Sequence, residues 1–161
     1  MKKILFTSML LFSSLLINQL FAQTANCDIK ALKKEGIAQL SPFYYSSAKV
    51  SKIEYQNEQL TKEIEVPLFK GEQYRMVFNR KALPQEVEIQ VYDQDKSHES
   101  RKALFSSKGD NRDILYFEPE KSKRHYVTYT IPAVTETVEA GCLVFVLGYQ
   151  LTFVDTSKAE E

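Results

Sequence analysis

The sequence predicts an all-β fold: a single β-sandwich, jelly-roll-like, of about seven or eight strands, with one short helix at its front. Three observations predict it. Hydrophobic alternation with period two dominates from Ser46 onward. Turn signals, among them Lys70-Gly71 and Gly109-Asp110-Asn111, cut that alternation into short pieces. Only one stretch, Asp28 to about Leu40, carries apolar residues at helical spacing.

In that stretch Ile29, Leu32, Ile37 and Leu40 form a loose stripe. Asp28 is placed to cap its start, Gly36 to end it, and Pro42 to stop any continuation. Val50, Ile53 and Tyr55 begin the strand pattern imperfectly. Ile64, Val66 and Leu68 then alternate with Glu63, Glu65 and Pro67, and the proline assigns this strand to an edge or a bulge. After the Lys70-Gly71 turn, Tyr74, Met76 and Phe78 share one face. Pro84 precedes the cleanest strand, in which Val87, Ile89 and Val91 alternate with Glu86, Glu88 and Gln90, giving one wet face. Asp93 to Asp113 is a polar connection with Ala103-Leu104-Phe105 as its apolar anchor. Ile114–Phe117 and Tyr126–Ile131 read as further strands, the second rich in β-branched and aromatic residues. Cys142–Val146 is continuously apolar and is expected to be buried on both faces, with Gly148 marking a bulge.

The first residues are Met1-Lys2-Lys3, followed by an apolar stretch to about Phe21 and a small residue, Ala22. This is the pattern of a secretory signal peptide over residues 1–22. An uncleaved anchor and a lipid-modified Cys27 are competing readings; Thr7, Ser8, Asn18 and Gln19 interrupt the first, and Asn26 before the cysteine disfavours the second. The expected domains are therefore the signal peptide, a β-sandwich over residues 23–154, and a polar tail over 155–161. The expected location is the periplasm or the extracellular space, with no membrane span in the mature form.

Lys plus Arg and Asp plus Glu each number 21, so the chain as a whole is neutral, and losing Lys2 and Lys3 leaves it slightly acidic. That balance argues against a nucleic-acid partner or a polybasic membrane patch. Both cysteines, Cys27 and Cys142, lie in the mature part, where pairing is the simplest expectation for an exported chain. The alternative is a buried free Cys142 with Cys27 exposed. A bridge between them would close a loop of about 115 residues.

The order Gly71-Glu72-Gln73-Tyr74-Arg75-Met76-Val77-Phe78, Val87-Glu88-Ile89-Gln90-Val91-Tyr92-Asp93, Leu104-Phe105, Phe117-Glu118-Pro119 and Tyr126-Val127-Thr128-Tyr129 resembles the bacterial pre-peptidase C-terminal domains. The resemblance spans about Ile64 to Ile131. It implies a small secreted jelly-roll sandwich of the kind appended to extracellular hydrolases, and no protease domain precedes the module here. The Gly141-Cys142-Leu143-Val144-Phe145 segment is also similar to the last strand of uncharacterised exported bacterial β-sandwich proteins.

For chemistry the sequence offers little. Asp93, Asp95 and Glu99, or Asp110 and Asp113, could present oxygens to calcium, but neither run has the EF-hand spacing. Two histidines, His98 and His125, fall short of the ligand set of a catalytic zinc. No serine sits in a glycine-flanked elbow, and Cys142 in an apolar strand makes a poor nucleophile. Phe43-Tyr44-Tyr45 is the densest aromatic cluster and the candidate sugar platform, in a chain without tryptophan. Lys121, Lys123, Arg124 and His125 form a small basic cluster, read as a solvated turn. The expectation is a non-catalytic module without cofactor that binds or supports an envelope protein. The alternatives are a glycan- or calcium-binding module and a small secreted hydrolase.

Overall fold

In the computed structural model, residues 27–138 and 140–152 are described. The expected signal peptide (1–22) and the polar tail (155–161) lie outside the described residues. The elements are α1 (Ile29–Ala38), β1 (Tyr44–Ile53), β2 (Leu60–Val66), β3 (Glu72–Ala82), β4 (Glu88–Tyr92), β5 (Phe105–Ser106), β6 (Ile114–Phe117), β7 (His125–Ile131) and β8 (Gly141–Leu151).

Two four-stranded sheets form the sandwich, ordered β1-β8-β3-β6 and β2-β7-β4-β5. β1 pairs with β8, β2 with β7, β3 with β6 and β4 with β5, all antiparallel. The chain is thus one long hairpin, bent at β4–β5 and rolled over itself, which is the jelly-roll winding. Between the sheets lies one core, built from Met76 and Phe78 of β3, Ile89 and Val91 of β4, Val127 and Tyr129 of β7, and Leu143 and Phe145 of β8. Phe78 sits among the rings of Phe105 and Phe145, with centroids 6.0 and 5.5 Å away.

α1 starts where Asp28 caps it, the carboxylate accepting from the Ala31 amide at 3.0 Å. It lies on the outer face of the first sheet, where Leu32 and Leu40 pack with Val77, Cys142, Val144 and Val146. Gly36 does not end the helix, contrary to expectation. It is buried within it, and a Cβ there would stand 2.9 Å from Val146 Cγ2. The glycine therefore serves close helix–sheet approach, and the helix runs on to Ala38 with Gln39 as its C-cap.

The helix also explains why β3 is buried on both faces. Val77 turns towards α1, and the Asn79 amide donates to the Leu32 carbonyl at 3.0 Å and to Glu35 at 3.1 Å. β8 is buried on both faces, as its apolar run predicts. The bulge expected at Gly148 falls on the neighbouring strand, where the β1–β8 register shifts between Tyr45 and Ser47. Gly148 itself makes room for the loop after α1, since a Cβ there would meet Leu40 Cδ2 at 2.7 Å. Strand pairing begins at Tyr44, so two of the three clustered aromatics belong to β1. Of the anchor in the long connection only Phe105 packs against the core; Leu104 is 47% exposed.

The expected bridge is formed. Cys27 and Cys142 are joined, with Cα atoms 5.6 Å apart, and the bond ties the residue before the Asp28 cap to the start of β8. Among the described residues no helix is long and apolar enough to cross a membrane.

Candidate binding site

β1 and β2 are end strands of their two sheets. Jelly-roll winding stacks them on the same side of the sandwich, so two strand edges with no partner among the described residues run beside one another. The placement of Pro67 agrees with this: it follows directly after β2, where no ladder bond is needed.

The seam between these edges is open. Residues directly opposite in an antiparallel pair share a face. Ser47, Lys49 and Ser51 stand opposite Leu147, Phe145 and Leu143, so they occupy the inward positions of β1. Most inward positions of the other strands carry aliphatic or aromatic side chains, with Lys62 of β2 an exception; here three in succession carry two hydroxyls and an ammonium. β1 therefore fails to close the core, and a groove of about 280 Å³ remains between Ser47 and Lys49 on one lip and Ile64 and Val66 on the other, floored by Phe145 and Leu147. Phe69 lines it while 69% exposed. Towards the other end of β1 the seam closes, where the Lys62 ammonium donates to the Lys52 carbonyl at 3.0 Å and Ile53 is fully buried.

The candidate sugar platform is divided. Phe43 lies half-buried beneath the Arg75 guanidinium, 4.6 Å from its ring centre. Arg75 is fixed there by Glu118 at 2.6 Å and by the carbonyls of Gln39 and Ser41. Tyr44 stands opposite Tyr149, and Tyr45 opposite Gly148, so the two tyrosines point to opposite faces of β1. Lys33 covers Tyr45 at 5.0 Å. The three rings do not form one flat surface.

The calcium candidates are likewise separated and engaged. Asp93 pairs with Lys123 at 2.7 Å. Asp95 accepts from the Ser97 amide and hydroxyl and faces His98 at 3.4 Å. Asp110 is gripped by Arg112 at 2.6 Å, chiefly through side-chain hydrogen bonds that pull its pKa down to about 2. Glu99 and Asp113 are exposed. Among the described residues no three His, Cys, Asp or Glu side chains converge on a possible metal position. The basic cluster dissolves into separate roles: Lys123 holds Asp93, Arg124 holds Glu65 at 2.8 Å, and His125 is buried.

His125 borders a second cavity, of about 270 Å³, shared with Asp93, Lys123, Glu118, Glu120 and Lys121. Its Nδ1 lies 2.8 Å from the Lys123 carbonyl. Burial, with the nearby Lys123 charge, holds its pKa below the ordinary 6.5, against an opposing pull from that backbone bond and Asp93. A histidine depressed on folding favours the neutral ring, so its contribution is fully present above about pH 6.5 and is lost as pH falls from there through the folded-state value. His125→Gln is expected to flatten stability against pH in that window, read from urea unfolding at closely spaced pH values. An unchanged slope would show that other groups set it.

Sequence reasoning missed one further feature. Glu63, which alternates with the apolar residues of its strand, and Arg101, in the polar connection, are 15% and 14% exposed and pair at 2.5 Å. Arg101 lies over the Tyr92 ring at 3.9 Å. Together they hold the Asp93–Leu104 segment against the outer face of the second sheet.

No protein-family model matches this chain, and no curated protein was found similar to it.

Proposed function

We propose that this chain is an exported, non-catalytic interaction module of the bacterial envelope that binds a protein partner by accepting a strand along the β1–β2 seam. The observation that carries the reading is the edge of β1. It runs for ten residues, pairs on one side only, exposes every side chain at least partly except Ile53, and borders an apolar groove. An unpaired edge offers main-chain donors and acceptors for affinity, and pockets for alternate side chains offer selectivity. The Cys27–Cys142 bond supports the compartment, because such bonds persist where the surroundings are oxidising.

The test is a photo-crosslinking residue placed in living cells at Ser47 or at Val50, with Lys108 as control. Lys108 follows β5, at the opposite edge of the second sheet from β2. A reproducible adduct from the two β1 positions and none from Lys108 is expected. No adduct from β1, or the same adducts from all three positions, rejects the reading.

A further inference from the structure

We infer that the strand accepted at the seam carries a carboxylate facing Lys49, with apolar side chains two residues to either side. The inference rests on the seam being the docking site and adds the chemistry of its occupant.

A free strand edge pairs with almost any extended chain, and an inward-pointing lysine is one of the devices that prevents this. Both edges of the seam carry one. Lys62, opposite the inward Tyr129, has its ammonium held by the Lys52 carbonyl. Lys49, opposite Phe145, lines the groove, and no carboxylate among the described residues lies within ion-pair distance of it. The anion that does line the groove, Glu65, is already held by Arg124 at 2.8 Å. The uncompensated charge of the groove is therefore the Lys49 ammonium.

A wholly apolar strand laid along β1 would desolvate that ammonium without giving it a partner, which is unfavourable. A carboxylate opposite it supplies the cross-strand ion pair. Side chains repeat every second residue on a strand face. The inward neighbours of that carboxylate would thus stand beside Ser47 and Ser51, with Leu147 and Leu143 one strand further on and Ile64 and Val66 across the groove. Apolar groups fit there. A second copy of this chain fits worse, because two-fold β1–β1 pairing centred on the groove sets one Lys49 ammonium against the other.

The experiment uses the oxidised mature chain and three end-blocked ten-residue peptides of alternating threonine and valine. They differ only in one central residue on the valine face: glutamate, glutamine or lysine. The glutamate peptide is expected to bind best, the lysine peptide about fivefold or more weakly. Lys49→Glu should invert that order; Lys49 is exposed, and a circular dichroism spectrum checks that the variant is folded. Equal affinity for the three peptides, no binding of any, or an order unchanged by Lys49→Glu overturns the inference. So does a wild-type dimer in sedimentation whose crosslinks join β1 to β1, which makes the second copy the occupant. The two readings fail separately. An adduct from Ser47 and Val50 that survives Lys49→Glu removes the carboxylate and leaves the seam as the docking site. The absence of any adduct there removes the seam itself.

Discussion

Replacing Cys27 and Cys142 together by serine is expected to lower the stability of the sandwich by about 3–5 kcal/mol. The bond spans 115 residues, nearly the whole described chain, and restricts the unfolded ensemble accordingly. A domain of this size has a total stability of about 5–15 kcal/mol, so the loss is a large fraction of it. The effect has a place as well as a size. α1 buries only Leu32 and Gly36 within its own length, and the bridge holds its first turn against β8. Guanidinium unfolding of the oxidised and double-serine proteins measures the difference. Hydrogen exchange should show α1 amides losing protection before those of β3 and β8. A loss below about 1 kcal/mol would mean that packing of the small helix cluster holds this end unaided.

Glu63→Ala is expected to cost about 2–4 kcal/mol, somewhat less than for a fully buried pair because both partners keep a little solvent contact. The Glu63 carboxylate receives Arg101 at 2.5 Å, the Thr128 hydroxyl at 3.2 Å and the Lys96 amide at 3.3 Å. Without it Arg101 keeps the Gln94 carbonyl and the Tyr92 ring but has an unmatched charge at 14% exposure. The double replacement Glu63→Ala with Arg101→Ala should cost clearly less than the sum of the single ones, since neither charge is then left alone. Strict additivity in that cycle would show that the two residues act independently. The loop between Asp93 and Leu104 should also become the first site of proteolysis in the single variant.

These two features were not equally visible beforehand. The bridge followed from two cysteines and the expectation of export. The Glu63–Arg101 pair joins residues 38 apart that sit in an alternating strand and in a polar connection, and each looks like an ordinary solvated residue by itself. Asp93 and Asp110 were legible as carboxylates, but their partners, Lys123 and Arg112, were not, and those partners define what the carboxylates do. Phe43 and Tyr45 looked like free aromatic surface until Arg75 and Lys33 were seen above them.

What the sequence determined by itself is everything that depends on near neighbours. Alternation at Val87, Ile89 and Val91, the Asp28 cap, the positive-φ turns at Gly71 and Gly109, and the continuous apolar run of β8 are each set within a few residues. Tertiary structure decided what covers each face. α1 turned Val77 and Asn79 from apparently outward residues into buried ones, and made Gly36 a packing residue. It also decided that β1, with Ser47, Lys49 and Ser51 facing inward, lies beside the free edge of β2 and leaves the seam open. The periodicity of a strand records which side chains share a face; whether that face meets another layer, a ligand or water depends on how the rolled hairpin brings distant strands together.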